Sequence, residues 1–238
     1  MNKATASRFA VALMVLGSSL GGNAQGAATM REAREVVGVD RVVMHAVGNL
    51  TIRQGPREHL EIEAEPHLLP AIGSEVRDGV LYLEILAPQF QTRYPLRFDL
   101  TVKRLDALTV TSSADVRASA LRSESLRLDL SGSGNIAIDS LDATRLETHL
   151  TGSADFSVGG GTVARQTLYS TGSGNYETGD MASTHARVDL SGSGDATVRA
   201  SGQLEVRSNG SGDLRYLGNP RIDQQINGSG DVLPAPSW

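Results

Sequence analysis

The chain contains no cysteine, so it can form neither a disulfide framework nor a cysteine-ligated zinc site, and it cannot carry a lipid on cysteine. Aromatic residues make up only 4% of the sequence, which predicts a core of aliphatic side chains. Acidic residues outnumber basic ones by 27 to 22, and this balance argues against nucleic acid or an anionic membrane as a partner.

The N-terminus has the pattern of a secretory signal peptide. Lys3 and Arg8 form a basic region, residues 9–16 are apolar, and small residues then lead to cleavage sites after Ala24 or Ala28. We therefore assign residues 1–28 to a signal peptide and expect an exported protein, either periplasmic or at the cell surface. The apolar run is too short to span a bilayer and no second run follows, so we expect no membrane insertion.

A five-residue motif close to Ser-Gly-Ser-Gly-Asp/Asn recurs through the C-terminal half of the chain. Five copies lie 20 residues apart and two more follow at intervals of 18 residues. Such regular spacing indicates a repeat architecture in which each unit stacks on the next. The copies begin at Thr111, Ser131, Thr151, Thr171, Ser191, Asn209 and Asn227.

Apolar and polar residues alternate on both sides of each motif, which is typical of strands with one buried face. We predict an all-β fold: a β-solenoid with coils of about 20 residues over residues 106–238, and a continuous N-terminal β-rich cap over residues 29–105. A β-propeller would need a longer period of about 40 residues. Within the cap, Asp78-Gly79 predicts a tight hairpin turn.

Glycines in the motif are predicted to face inward, where a residue without a Cβ lets neighbouring coils approach closely. In the second copy these are Gly132 and Gly134. The fourth copy departs from the pattern, because Gln166, Ser170 and Thr178 replace aliphatic residues. We expect that coil to be looser or shifted in phase.

The fifth motif position is always Asp or Asn, and we expect these side chains to stack into a polar ladder. We interpret them as turn residues that bond to the backbone. Stacked carboxylates recruiting a cation such as Ca²⁺ are the alternative, but no repeat supplies the roughly six to eight oxygens that calcium takes. No metal or other cofactor is therefore assigned. The ladder comprises Asp115, Asn135, Asp155, Asn175, Asp195, Asp213 and Asp231.

No residue is assigned a catalytic role. The motif serines do not form the Gly-x-Ser-x-Gly nucleophile elbow, and the five histidines lack zinc-ligand spacing. Most carboxylates alternate with aliphatic residues, as on a solvated strand face. Since aromatic side chains often mark sugar-binding surfaces, Phe90 and Tyr94 in the loop of residues 88–95 are the candidate binding pair.

The chain resembles the bacterial family named "putative auto-transporter adhesin, head GIN domain" over residues 38–232. The resemblance rests on the signal peptide, the turn at Ile52-Arg-Gln-Gly55, the hairpin at Asp78-Gly79 and the glycine-rich repeats. It implies a single-stranded right-handed β-helix without established enzymatic activity.

These observations favour a non-enzymatic envelope or cell-surface protein that is adhesive or binds glycans. The alternatives are a periplasmic scaffold that binds another envelope protein and, from a different class, a carbohydrate-active β-helix enzyme. Nucleic acid is not an expected partner. Unpaired solenoid edges would permit self-association.

Overall fold

The computed structural model describes residues 28–235, so the predicted signal peptide lies outside the described residues except for its last position. These residues form 19 strands and one short 3-10 turn, which confirms the all-β prediction. Within this range, no helix has the length and apolar character needed to cross a membrane. The strands are β1 (Met30–Arg34), β2 (Arg41–Met44), β3 (Asn49–Gln54), β4 (His59–Ala64), β5 (Ile72–Arg77), β6 (Val80–Ile85), β7 (Arg97–Val102), β8 (Ala107–Val110), β9 (Asp115–Leu130), β10 (Ile136–Leu150), β11 (Phe156–Val158), β12 (Gly161–Ser170), β13 (Tyr176–Thr178), β14 (Ala182–Leu190), β15 (Ala196–Arg199), β16 (Gln203–Ser208), β17 (Leu214–Leu217), β18 (Arg221–Ile226) and β19 (Val232–Pro234).

The repeats stack as parallel coils, as the spacing predicts. Ile136 at the start of β10 lies beside Val116 of the preceding coil and Phe156 of the following one. The same register continues to β19 through the strands that follow each motif, while the strands that precede each motif pair in a second parallel set. The result is a β-solenoid of about six turns with a spacing of about 20 residues.

The core is a stack of aliphatic rows along the solenoid axis. Leu126, Leu128 and Leu130 are at most 2% exposed, and the alternating residues between them face solvent wholly or in part. Each aliphatic row aligns with its counterpart in the next coil, so one buried side chain covers another. Such burial contributes about 1.5–3 kcal/mol for each large aliphatic side chain.

The N-terminal strands extend the solenoid, but their order in space differs from their order in the sequence. β2 pairs in parallel with β6 on one side and with β8 on the other. In the same way β3 pairs with β7 and with β9. The coil formed by β2 and β3 is therefore enclosed between a later coil, β6 and β7, and the first repeat coil.

Antiparallel strands cover the outer coil of the solenoid. β4 pairs with β7 and carries β1 on its far side, and β5 pairs with β6. The turn between β5 and β6 is the predicted hairpin, since Asp78 has a φ of 49° and Gly79 a φ of 81°. Phe98 and Leu100 of the outer coil are consequently 0% exposed.

The fourth coil keeps the common register despite its polar residues. Gln166 lies beside Leu146 and Ser170 beside Leu150, so the expected shift of phase was wrong. Gln166 and Ser170 are both buried. The polar side chains stay inside the coil because most of them bond to one another.

Gln166 is the centre of this buried network. Its Oε1 accepts hydrogen bonds from the Tyr176 hydroxyl at 3.1 Å and from Thr178 Oγ1 at 2.9 Å. Its Nε2 donates to Ser183 Oγ at 3.0 Å. Burial raises the pKa of the Tyr176 phenol far above its ordinary value, so this hydroxyl remains a donor. Satisfied polar groups replace aliphatic packing here without opening the coil.

The motif glycines bring the backbones of successive coils into direct contact. A Cβ built on Gly132 would overlap the carbonyl oxygen of Ser112, and one built on Gly134 would overlap that of Ala114. Gly134 is buried and Gly132 partly so, as the inward placement predicts. Higher coils repeat these overlaps at Gly152, Gly172, Gly174, Gly192, Gly194, Gly210, Gly212, Gly228 and Gly230.

We predict that Gly134→Val lowers the free energy of unfolding by more than about 1 kcal/mol, because the new side chain collides with the backbone of the coil below. Chemical denaturation of the purified variant measures this loss. Gly160→Ala is the matched control, since a Cβ at Gly160 meets no atom within 4 Å. Equal stability of Gly134→Val and the wild type would contradict the close packing of the motif turns.

Candidate functional site

The motif turns stack into one continuous polar edge, which we call the motif edge. It comprises the first, third and fifth residues of every motif, and nearly all of them are exposed. The second and fourth residues point inward and fix the turn by backbone contact. Neighbouring coils lie about 4.8 Å apart, so the side chains at each motif position form a row with that spacing.

Two of the three rows carry small neutral polar groups. The first row consists of Ser, Thr and Asn, and the third motif position is Ser in every copy. Some neighbours bond along the row, as Ser211 Oγ does to Ser193 Oγ at 3.2 Å and Asn227 Nδ2 to Asn209 Oδ1 at 3.0 Å. The edge thus presents regularly spaced donors and acceptors without large side chains.

The Asp/Asn ladder bonds each coil to the next through a side chain. From Asn135 onward, the backbone N–H of each ladder residue donates to Oδ1 of the ladder residue one coil below, at 2.7–3.2 Å. Its carbonyl oxygen accepts a backbone bond from the same coil below, as Asn135 does from Val116 at 2.7 Å. An amide and a carboxylate both supply this acceptor, which explains why Asn and Asp alternate freely.

The ladder position continues into the enclosed N-terminal coil. Asn49 aligns with Asp115, and Gly48-Asn49-Leu50 matches Gly134-Asn135-Ile136 in sequence. Asp115 donates its N–H to the Gly48 carbonyl at 3.0 Å instead of to a side chain. Sequence reasoning missed this copy because 66 residues separate the paired turns, instead of 20.

The aromatic candidates Phe90 and Tyr94 lie in the loop between β6 and β7, at the capped end, one coil beyond the turn at Gly48-Asn49. Tyr94 is 45% exposed, whereas Phe90 is partly buried and packs against the core. Glu65 holds their loop, because its Oε2 accepts from Thr92 Oγ1 at 2.8 Å and from the Arg93 N–H at 3.0 Å. The hydrogen bond from Arg93 lowers the pKa of Glu65, so its carboxylate stays ionised. Only Tyr94 of the pair offers an exposed ring.

An open groove of about 530 Å³ lies at a corner beside the first coils. Gln54 bridges its walls, since Nε2 donates to the Arg122 carbonyl at 2.9 Å and Oε1 accepts from the Arg122 N–H at 2.8 Å. This contact gives the glutamine of the Gln54-Gly55 turn a structural role. The groove is lined by Gln54, Gly55, Lys103, Ala120, Leu121, Arg122, Ser140 and Asp142.

Acidic side chains are dispersed over the part of the chain that the structure describes. Between residues 28 and 235, no cluster of three or more His, Cys, Asp or Glu side chains is placed to hold a metal ion. The groove contains a single carboxyl group, that of Asp142, which lies 3.9 Å from the Arg122 guanidinium. Glycoside hydrolysis by the usual mechanism requires a pair of carboxyl groups across the scissile bond.

Comparison with known proteins places this architecture in a family. The family model described as "putative auto-transporter adhesin, head GIN domain" matches residues 40–220. No curated protein matches the sequence.

Solved structures share the fold at low sequence identity. A putative adhesin from Bacteroides fragilis is 24% identical with a TM-score of 0.83, over 87% of this chain and 97% of that one. A putative adhesin from Parabacteroides distasonis is 21% identical with a TM-score of 0.68, again over 87% and 97%. A putative lipid binding protein from the same species is 19% identical with a TM-score of 0.66, over the same shares.

The ladder bonds predict a difference between two substitutions at one position. Asp155→Ala removes the acceptor for the Asn175 N–H and should cost about 0.5–1.5 kcal/mol of stability. Asp155→Asn keeps an oxygen in place and should lie within about 0.5 kcal/mol of the wild type. Thermal denaturation compares the two variants, and equal losses for both would show that the ladder acceptor does not stabilise the coil.

Proposed function

Because the chain belongs to the family described as "putative auto-transporter adhesin, head GIN domain", we propose that it is an exported, non-enzymatic protein that adheres to a repetitive polar ligand such as a glycan. The observation that carries this proposal is the motif edge, with its exposed rows of Ser, Thr, Asn and Asp. A regular surface of this kind suits a ligand that itself repeats.

The chemistry of the motif edge fits a hydroxyl-rich ligand. Serine hydroxyls both donate and accept, and ladder side chains retain acceptor capacity beyond the one bond that each makes to the backbone. The rigid turns hold these groups in place, which lowers the entropy lost on binding. Tyr94, 45% exposed at the capped end, is a second proposed contact for a sugar ring.

The distribution of carboxylates supports binding over hydrolysis. The groove beside Gln54 has one acidic residue, Asp142, and that residue is close to Arg122. Some exposed acids pair across strands, as Glu147 does with Arg127 at 2.6 Å, and pairs of this kind stabilise a solvated sheet face. A smaller recess beside the ladder is lined by Glu177, Asp195 and Asp213 together with Arg215.

We expect that blocking the motif edge abolishes ligand capture. Ser153→Arg combined with Ser173→Arg places two long side chains on the third row, where both serines are exposed. Binding of the purified protein to an array of immobilised polysaccharides should fall by at least about tenfold for any polysaccharide that the wild type binds.

The matched control for this block uses the same coils and the same added charge. Ala164→Arg combined with Ala182→Arg substitutes exposed residues away from the motif edge and should leave binding within about twofold. Equal loss in both double variants, or polysaccharide binding that neither changes, would remove the motif edge from the proposal.

Location separates adhesion from the alternative of a periplasmic scaffold. The basic residues Lys3 and Arg8 and the apolar run 9–16 support export, and an adhesive protein must also reach the outer surface. We expect protease added to intact cells to digest the protein. Protection until the cells are lysed would refute the adhesive role and support a scaffold that binds another envelope protein.

A further inference from the structure

The C-terminal coil leaves the interior of the solenoid open. Ile222 and Ile226 of β18 are 37% and 38% exposed, although they occupy inward positions. Their counterparts one coil earlier, Leu204 and Ser208, are 0% and 2% exposed. Within residues 28–235, no strand pairs with the outer side of β18.

The backbone of β18 also presents unpaired groups at this end. The N–H groups of Arg221 and Asn227 donate to the preceding coil, to the carbonyl oxygens of Gly202 and Ser208, at 2.8 and 2.7 Å. Alternate residues of a parallel strand bond to opposite neighbours, so the N–H and C=O groups of residues 222, 224 and 226 face outward. This edge is a template for one more strand.

Among the described residues, β1 and β5 at the opposite end also pair on one side only, but charged side chains lie along them. In β1, Arg31 bonds to Glu61 and Glu63. The Arg34 guanidinium donates to the carbonyl of Ile72, at the start of β5, and to that of Leu69 in the preceding 3-10 turn. Stacking of one molecule's C-terminal end on another's N-terminal end would build an open series of copies, whereas pairing of two β18 strands closes as a dimer.

We propose that β18 is an interface at which two copies of this chain pair end to end, with their β18 strands antiparallel about a two-fold axis. The proposal adds to the adhesive function and does not depend on it. The strand suits its own copy because both ends of its inward side carry an exposed isoleucine, and antiparallel pairing with a second copy covers both.

Among the antiparallel pairings that keep inward residues together, the register centred on Gln224 sets the two exposed isoleucines against each other. When Gln224 faces its own symmetry copy, Ile222 lies opposite Ile226 and Asp223 lies opposite Gln225. The pairs 222–226, 224–224 and 226–222 then have their free backbone groups facing each other, and each exchanges two hydrogen bonds. A register that centres on Asp223 would place two carboxylates face to face, which is destabilising.

Sedimentation of the purified wild-type protein tests the pairing. We expect the mass to rise towards twice that of the monomer between about 1 and 100 µM, since one strand edge is small beside the usual interface of about 800 Å² per partner. Gln224→Pro removes an outward N–H and leaves the bonds to β16 intact, so this variant should remain monomeric with an unchanged melting temperature. A monomeric wild type at every concentration would overturn the proposal, as would a dimer that persists in Gln224→Pro.

A second pair of variants tests the register through charge. Gln225→Lys sets a cation opposite Asp223 of the other copy and should tighten the dimer, whereas Gln225→Glu sets an anion there and should weaken it. The two substitutions lie at the same exposed position and differ in the sign of the charge. Identical dissociation constants for the two variants would rule out this register.

Discussion

Contact between the backbones of successive motif turns is the constraint on which the rest of the structure depends. At Gly132 and Gly134 the neighbouring carbonyl oxygens occupy the space that a Cβ would need. Because the turns stack this closely, the strands on both sides are held in register and their aliphatic rows align. The same closeness lets a short Asp or Asn side chain reach the amide of the next coil.

Sequence reasoning found the features that are encoded by a short-range periodicity of the sequence. Alternation over Leu126 to Ile138 gave the buried face, and the interval of 20 residues gave the stacking, because both arise within one coil or between adjacent coils. The hairpin at Asp78-Gly79 was predictable for a similar reason, since two residues with positive φ are needed in a tight turn.

What the sequence did not reveal depends on partners that the repeat period does not identify. The enclosed coil of β2 and β3 breaks the period, so its match at Gly48-Asn49 lacked the expected spacing. Gln166 was interpreted as a defect of the core because alternation shows which residues face inward but not which of them bond to each other, as Gln166 does to Tyr176 and Ser183. The hydrogen bonds from backbone N–H groups to the ladder side chains were equally hidden. An Asp or Asn that hydrogen-bonds only within its own turn gives the same sequence.

The five positions of the motif have different structural roles, and this difference affects how a ligand would be recognised. The second, fourth and fifth positions are constrained by backbone contact and by the ladder bonds. Exchange is limited to Gly or Ser in the second position, Gly or Ala in the fourth, and Asp or Asn in the fifth. The first position makes only occasional side-chain bonds to the neighbouring coil, as Thr151 does to the Leu130 carbonyl, and it varies among Ser, Thr and Asn. A ligand read along the motif edge would therefore be selected by side chains that can change without loss of the fold, as binding loops do on other rigid scaffolds.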